Sequence, residues 1–214
     1  MTASLVSQET VRHVERAPII VVLGPPGSGK GTQCEHLAQA LGLGHVSTGQ
    51  ALRDEIGRGS RLGIRAARYV ESGRLVPDEL VVEAMTEALA RCARAPGVLL
   101  DGFPRTESQA ALLDELGLGT VRLAAALVVP RAVLLERLRS RGRADDRVEI
   151  VRTRLLSYEV ETRPLLDYYV RRGILVHVDG NRAAAEVTAT LTAQLARCGI
   201  AIGRQRSGFA ALAN

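Results

Sequence analysis

Lysine and aromatic residues are almost missing from this 214-residue sequence. Lys30 is the single lysine among 28 basic residues, tryptophan is absent, and aromatic residues make up 3% of the chain. No basic run is interleaved with aromatics, so a surface that stacks on single-stranded nucleic acid is poorly supported. The net charge of +5 therefore points to a site that neutralises several phosphate groups, and we expect no nucleic acid partner.

Cysteine is also scarce. Cys34, Cys92 and Cys198 are far apart and form no C-x-x-C pair. A disulfide framework and a zinc site are both disfavoured by this spacing. We expect all three cysteines to behave as small apolar residues.

Long apolar runs are missing as well. No stretch is long and apolar enough to span a membrane. The first 18 residues contain Glu9, Arg12, Glu15 and Arg16 and no apolar run, which disfavours a secretory signal. The expectation is a cytoplasmic protein with no membrane association.

What the chain does contain is an alternation of short apolar strands with helical segments. Strands are predicted at 19–23, 45–46, 98–100, 123–129 and 174–178, with helical spacing between them. The order Val76-Pro77-Asp78 predicts an extended residue followed by a helix that Asp78 caps. The alternation indicates an α/β fold with a five-stranded parallel sheet flanked by helices, whose ligands bind beyond the carboxyl ends of the strands.

The first strand leads into a glycine-rich loop that contains the single lysine. Residues 24–32 read GPPGSGKGT, between an apolar strand and a helix. This arrangement is typical of a phosphate-binding loop, in which backbone N–H groups and a lysine contact phosphate oxygens. The general pattern has Ser or Thr directly after the lysine, whereas here Gly31 precedes Thr32. A glycine-rich surface turn is the alternative.

A second motif, DGFPRT at 101–106, follows the third predicted strand. Asp101 ends an apolar strand, as a Mg²⁺-handling aspartate does in phosphate-loop enzymes. Phe103 and Pro104 predict a tight turn that projects Arg105. A cation at the start of a helix opposes the helix dipole, so we expect Arg105 to meet an anion.

Arginines cluster around Gly142. Within 18 residues the chain places Arg137, Arg141, Arg143, Arg147 and Arg154. Guanidinium forks grip phosphate oxygens with two hydrogen bonds, so the cluster suggests a lid that closes over phosphates. A solvated helix whose arginines pair with neighbouring acidic residues is the alternative. Asp145 or Asp146 is expected to cap the following helix, with Glu149 in a capping-box position.

Six segments of the chain together resemble the adenylate kinase family, in order and at suitable distances. They read GPPGSGKGTQ at 24–33, STGQALR at 47–53, SGRLVPDEL at 72–80, DGFPRT at 101–106, RADD at 143–146, and DG at 179–180. This family places its threonine one residue late, which accounts for the order Gly31-Thr32. The resemblance covers residues 18–198.

The resemblance implies a domain organisation. A nucleoside monophosphate kinase domain at 18–198 would carry a helical AMP-binding insertion at 47–76 and a very short lid at 140–146. An N-terminal extension would span 1–17 and a C-terminal tail 199–214. Only Gly142 separates Arg141 from Arg143, and the lid has no cysteine for the zinc site of long-lid members.

The resemblance also implies an activity, the reversible reaction ATP + AMP ⇌ 2 ADP with Mg²⁺, in a monomer that maintains the adenine nucleotide pools. The residues implied for ATP are Gly27, Ser28, Gly29, Lys30, Gly31 and Thr32, with Arg137 and Gly180 at its base. Those implied for AMP are Thr48, Arg53, Val76, Arg105, Gln109, Arg143 and Arg154. The implied catalytic residues are Lys30, Arg105, Arg137, Arg141, Arg143, Arg154 and Asp101, which would hold Mg²⁺ through water.

Two positions bear on the acceptor base. Pyrimidine-specific relatives tend to have alanine at the position of Thr48 and asparagine near Gln109, so these residues favour AMP. Gln50, however, stands where the family usually has aspartate. A kinase for UMP and CMP, or for several nucleoside monophosphates, remains an alternative, and so does a weakly active nucleotide-binding regulator.

Overall fold

A computed structural model describes residues 17–92, 94–117, 119–143 and 146–200. Nearly all of the expected N-terminal extension and C-terminal tail lies outside the described residues, and so do Ala144 and Asp145 of the expected lid. The boundaries of these segments therefore stay predictions.

In the described residues, five strands alternate with nine α-helices. The strands are β1 (Pro18–Leu23), β2 (Gly44–Ser47), β3 (Val98–Asp101), β4 (Thr120–Val128) and β5 (Leu175–Asp179). The helices are α1 (Lys30–Leu41), α2 (Thr48–Gly57), α3 (Arg61–Ser72), α4 (Asp78–Arg91), α5 (Glu107–Glu115), α6 (Arg131–Arg141), α7 (Val148–Ser157), α8 (Pro164–Arg171) and α9 (Ala184–Arg197). A π-helical turn, Tyr158–Thr162, follows α7.

The strands form one sheet in the order β2-β3-β1-β4-β5, and every neighbouring pair is parallel. This confirms the predicted α/β fold with a five-stranded parallel sheet. Because β1 lies at the centre, it is buried on both faces, which its unbroken apolar sequence requires.

Helices cover both faces of the sheet because successive side chains of a strand point to opposite sides. Ile19, Val21 and Leu23 of β1 pack into a core with apolar residues of α4, α5 and α8. Ile20 and Val22 pack on the other face with residues of α1 and α9. A smaller apolar cluster joins α6 to α7. No helix in the described part of the chain is both long enough and apolar enough to cross a membrane.

This topology determines where a ligand can bind. β1 is flanked by β3 on one side and β4 on the other, so the chain order reverses at β1. A crevice opens outside the carboxyl ends of parallel strands at such a point. The glycine-rich loop follows β1 there, and Asp101 ends the neighbouring strand β3 opposite Val22.

Candidate active site

A cleft of about 720 Å³ opens at the carboxyl edge of the sheet. Among the described residues that line it, eight are lysine or arginine and three are acidic. The basic ones are Lys30, Arg53, Arg91, Arg105, Arg137, Arg141, Arg143 and Arg154. A concave site with this excess of cations attracts polyanionic ligands.

The glycine-rich loop forms one wall of the cleft. Gly27 and Gly29 have φ angles of 83° and 95°, in the left-handed region that favours glycine. A Cβ at Gly27 would lie 2.9 Å from the carbonyl oxygen of Leu134, so α6 leaves no room for a side chain. Gly29 caps α1 without a side-chain hydrogen bond, and the backbone at the start of this helix faces the cleft. A helix start of this kind is suited to bind phosphate.

Lys30 folds back over the loop that precedes it. Its Nζ donates hydrogen bonds to the carbonyl oxygens of Gly24 at 2.8 Å and Pro25 at 3.0 Å. Burial lowers the pKa of Lys30 to about 8, and the nearby carboxylate of Asp101 offsets part of this effect. The hydroxyl of Ser28, which is buried, lies 3.5 Å from Nζ. Gly31 and Thr32 line the cleft beside it.

Asp101 lies across the cleft from the start of α1. The Ser47 hydroxyl donates to Asp101 Oδ2 at 3.1 Å, and the Thr48 hydroxyl donates to the Asp101 backbone carbonyl at 3.3 Å. A Cβ at Gly31 would lie 3.5 Å from Asp101 Oδ2. This is an ordinary van der Waals distance, so position 31 lies directly beside the carboxylate.

A pocket of about 70 Å³, here called the small pocket, adjoins the cleft. Its lining includes six of the seven residues implied for AMP, namely Thr48, Arg53, Val76, Arg105, Gln109 and Arg154. The seventh, Arg143, lines the cleft. Three arginines line both spaces, Arg53, Arg105 and Arg154. They lie where a ligand in the cleft and one in the small pocket would meet.

The turn after β3 positions Arg105. Gly102 has a φ of 83°, and a Cβ there would lie 2.6 Å from the Thr48 hydroxyl. Phe103 is buried and anchors the turn in the core. Arg105 then bends back, and its Nε donates to the Gly102 carbonyl at 2.9 Å. Burial and the neighbouring charge of Arg154 lower the pKa of Arg105, an environment that favours binding of an anion.

Gln109 is held by the start of α5. Thr106 caps this helix, and its hydroxyl accepts from the Gln109 backbone N–H at 3.1 Å. The Gln109 side chain reaches back, and its Oε1 accepts from the Arg105 backbone N–H at 2.7 Å. Its Nε2 donates to Oδ1 of Asp78 at 2.6 Å. The prediction that Asp78 caps α4 is wrong, because Pro77 is the cap residue and the Asp78 carboxylate accepts from Gln109.

Gln50 bridges two charged neighbours on α2. Its Oε1 accepts from Arg53 Nη2 at 3.0 Å, and its Nε2 donates to Asp54 Oδ1 at 2.7 Å. Arg53 and Asp54 both line the cleft. A neutral amide therefore stands between a cation and an anion, where the family usually has a carboxylate.

The arginines around Gly142 have two sets of partners. Arg137 contacts Gly180, whereas Arg141, Arg143 and Arg154 contact Asp146. Arg137 Nη1 donates to the Gly180 carbonyl at 3.0 Å, so this candidate is tied to the loop after β5. Arg141 pairs with Asp146, whose Oδ2 accepts from Arg141 Nε at 2.9 Å. Arg154 Nη1 lies 3.5 Å from Asp146 Oδ1. The Arg143 backbone N–H also donates to Asp146, at 3.1 Å.

Asp146 is thus enclosed by cations, and its side chain is only 4% exposed. Burial alone would raise the pKa of Asp146, but the hydrogen bonds and charges of these arginines outweigh burial and lower it. The prediction that Asp146 caps α7 is wrong, because the cap residue is Arg147 and Asp146 accepts from Arg141 instead. Asp145, the other predicted cap, lies outside the described residues.

The structure brings the implied residues together with few exceptions. Ser28 is buried within the loop and does not line the cleft, and Gly180 is linked to the cleft by its hydrogen bond with Arg137. Ser47, Asp78 and Asp146 form hydrogen bonds with the implied residues but were not predicted as site residues. Each had a local signal, since Ser47 belongs to the STGQALR segment, Asp78 to SGRLVPDEL and Asp146 to RADD.

The chain is similar to known proteins over most of its length. A family model described as adenylate kinase matches residues 22–174. Adenylate kinase 1 of Nostoc sp. is 45% identical over 180 residues, covering 82% of this chain and 97% of that protein. The adenylate kinase of Thermus thermophilus is 46% identical over 183 residues, covering 82% and 96%. The adenylate kinase of Corynebacterium glutamicum is 44% identical over 164 residues, covering 75% and 91%.

Proposed function

The chain belongs to the adenylate kinase family, and from this membership we propose how its cleft performs the reaction of that family. It is a phosphotransferase that moves a phosphoryl group reversibly between ATP and AMP. The observation that supports the assignment of roles best is the shared lining of the cleft and the small pocket by Arg53, Arg105 and Arg154.

ATP is proposed to occupy the cleft with its phosphates on the glycine-rich loop. The N–H groups of residues 27–32 and the ammonium of Lys30 would contact phosphate oxygens. Arg137 lines the cleft and donates to the Gly180 carbonyl, and the base of ATP would rest against this pair. Lys30 would exchange its bonds to backbone carbonyls for bonds to phosphate.

AMP is proposed to occupy the small pocket. Its base would lie against Thr48, Val76 and Gln109, and its phosphate would face Arg53 and Arg105. The phosphate would then point toward the cleft, because these two arginines line both spaces. This placement lets the acceptor oxygen approach the terminal phosphate of ATP.

The transfer itself needs charge stabilisation more than a base. The transition state of phosphoryl transfer is loose and spreads negative charge over the equatorial oxygens. Lys30 and the arginines at 105, 137, 141, 143 and 154 would stabilise this charge in a preorganised, mostly water-free site. Closure of segments 47–76 and 140–146 would complete the exclusion of water.

Mg²⁺ is proposed to bind with the ATP phosphates, and the residues present fit it. Mg²⁺ is usually held by one or two carboxylates together with substrate phosphates and water. Asp101 supplies a carboxylate beside the start of α1, and the Ser47 hydroxyl holds it in place. Bound there, the ion would neutralise charge on the outer phosphates. Asp101 would orient the ion through water, and Ser47 would orient Asp101.

We further propose that the protein works as a monomer in the cytoplasm. All the proposed binding residues come from one chain, so a second subunit is not needed to complete the site. Size-exclusion chromatography with light scattering tests the monomer, and fractionation of the source cells tests the location.

The assignment is tested by ADP formation from Mg-ATP with AMP, UMP, CMP or GMP supplied separately, beside a reaction without acceptor. We expect rapid turnover with AMP. Preference for UMP or CMP would contradict the AMP assignment, and tight ATP binding without transfer would contradict catalysis. Arg105→Ala tests the roles, because it is expected to raise the KM for AMP and to lower kcat.

A further inference from the structure

The side-chain amide of Gln109 has a fixed orientation. Gln109 is 3% exposed, and its amide contacts two groups on opposite sides. Oε1 lies 2.7 Å from the Arg105 backbone nitrogen, and Nε2 lies 2.6 Å from Asp78 Oδ1. A backbone N–H can only donate a hydrogen bond, and a carboxylate can only accept one. The opposite orientation of the amide would therefore bring two donors together at Arg105 and two acceptors together at Asp78.

The fixed amide still has hydrogen-bonding capacity for a ligand. An amide oxygen accepts two hydrogen bonds and an amide nitrogen donates two, and the protein contacts above use one of each. Gln109 lines the small pocket together with Val76 and Thr48. The amide can therefore offer this pocket one acceptor, its oxygen, and one donor, its nitrogen. The contacts with Asp78 and the Arg105 N–H determine which of the two positions each atom takes.

This arrangement of acceptor and donor is complementary to adenine and not to a 6-oxopurine. Adenine carries a donor at N6 beside an acceptor at N1, so it complements the acceptor and donor of Gln109. Hypoxanthine, the base of IMP, has an acceptor at O6 and a donor at N1. It could pair with Gln109 only if the amide turned over, and the turned amide would place its oxygen against the Asp78 carboxylate.

We propose that Asp78 is a specificity-determining residue, whose carboxylate locks the Gln109 amide in the orientation that accepts AMP and rejects 6-oxopurine nucleotides. This inference rests on the proposed function, because Gln109 reads the acceptor base only if AMP occupies the small pocket. Asp78 acts through Gln109 and is a positioning residue.

Asp78→Asn tests whether the Asp78 carboxylate fixes the orientation of the Gln109 amide. Asparagine can accept from Gln109 as aspartate does, so the fold and the reaction with AMP are expected to change little. It can also donate, so it removes the clash of two acceptors at position 78, and only the Arg105 N–H still opposes the turned amide. A hydrogen bond to a charged group is strong enough that the ratio of kcat/KM for AMP to that for IMP is expected to fall roughly tenfold. The KM for ATP is expected to stay the same.

Glu79→Gln is the matched control. Glu79 is the next residue in the first turn of α4, it is exposed, and it carries the same charge near the same helix start. Its replacement is expected to leave the ratio of AMP to IMP unchanged. An equal effect of both variants would overturn the proposal, because it would show that charge near the pocket, rather than the lock, determines the preference.

Combining Asp78→Asn with Gln109→Ala shows whether Asp78 acts by positioning the Gln109 amide or by a general effect on the structure. In a Gln109→Ala background, Asp78→Asn is expected to leave the AMP-to-IMP ratio unchanged, because no amide remains to be locked. A wild-type enzyme that prefers AMP, with an unchanged ratio in Asp78→Asn, overturns the inference and leaves the proposed function standing. A wild-type protein that transfers no phosphoryl group to AMP overturns the proposed function itself.

Discussion

Arg137 and Gly180 are joined by a hydrogen bond of 3.0 Å from the guanidinium Nη1 to the backbone carbonyl oxygen. The bond ties α6 to the loop after β5. Gly180 is itself fixed, because its N–H donates to the Val128 carbonyl at 2.9 Å and a Cβ there would lie 2.7 Å from Val129 Cγ2. The two residues implied for the base of ATP therefore form one unit.

Arg137→Lys is expected to affect ATP more than AMP. Lysine keeps the charge but loses the planar fork, so it cannot hold the Gly180 carbonyl and also cover the base. We expect the KM for ATP to rise about tenfold, which corresponds to the loss of one charged hydrogen bond, with a small change in the KM for AMP. Steady-state kinetics with each nucleotide varied in turn measure this. Equal increases in both values would contradict the placement of Arg137 at ATP.

Lys30→Met is expected to abolish turnover and leave the fold intact. Removing a group that stabilises developing charge typically costs about a hundredfold or more in kcat. The fold should tolerate the change, because burial already disfavours the charged lysine and lowers its pKa. We expect the melting temperature to stay within about 4 °C of the wild type. Calorimetry and the ADP assay measure the two effects, and surviving activity would refute the assignment of the glycine-rich loop.

ATP binding is expected to take up protons above neutral pH. With a pKa of about 8 in the free protein, Lys30 is partly neutral at pH 8.5. Contact with phosphate favours the charged form and raises the pKa, so binding should take up about three quarters of a proton at pH 8.5 and about one quarter at pH 7.5. Affinity for ATP should accordingly weaken as the pH rises above 8.

Titration calorimetry in two buffers of different ionisation enthalpy measures this uptake. Lys30→Arg is the control, because arginine stays charged throughout this range and should show no uptake. An uptake that is equal in the wild type and in this variant would assign the proton to another group.

Asp146→Asn is expected to destabilise the fold at neutral pH. A folded-state pKa below the ordinary value means that the ionised carboxylate stabilises the fold above about pH 3.8, and that this contribution is lost as the pH falls through the folded-state pKa. We expect a loss of about 1–2 kcal/mol in the free energy of unfolding at pH 7, since the side chain is almost buried between arginines. Denaturant unfolding at pH 7 and pH 3 measures it, and the difference should shrink at pH 3.

Asp179→Asn is the matched control for Asp146. Asp179 also has a lowered pKa, caused by the Asn181 backbone N–H and by Arg182, but its side chain is 56% exposed. Solvent screens such a pair, so its replacement should change stability little. If the two variants were equally destabilised, enclosure by arginines would not be the cause.

Much of the fold could be predicted from the sequence, because its signals are local. The apolar strand, the glycine-rich loop and the helix after Lys30 are contiguous, and their backbone conformations follow from nearby residue types. Gly142 ends α6 in the left-handed conformation and Pro164 opens α8, as these residue types favour. The family motifs then indicated which residues surround the cleft.

The wrong predictions concerned carboxylates with a choice of partner. Asp78 and Asp146 both stand where an aspartate could cap a helix, and a cap contributes about 1 kcal/mol. Asp146 instead meets Arg141 and Arg154, and Asp78 meets Gln109, which is 31 residues away in the chain. Charged and buried hydrogen bonds contribute more than an exposed cap, and they exist only once the chain has folded.

The alternation of strands and helices, the phosphate loop and the charged residues near it follow from the amino-acid order, because each depends on residues close together in the chain. Which distant side chains face one another depends instead on how the elements pack. The pairing of Arg137 with Gly180 and the orientation of the Gln109 amide depend on contacts between distant segments. Packing of the sheet and helices sets the distances on which those hydrogen bonds depend.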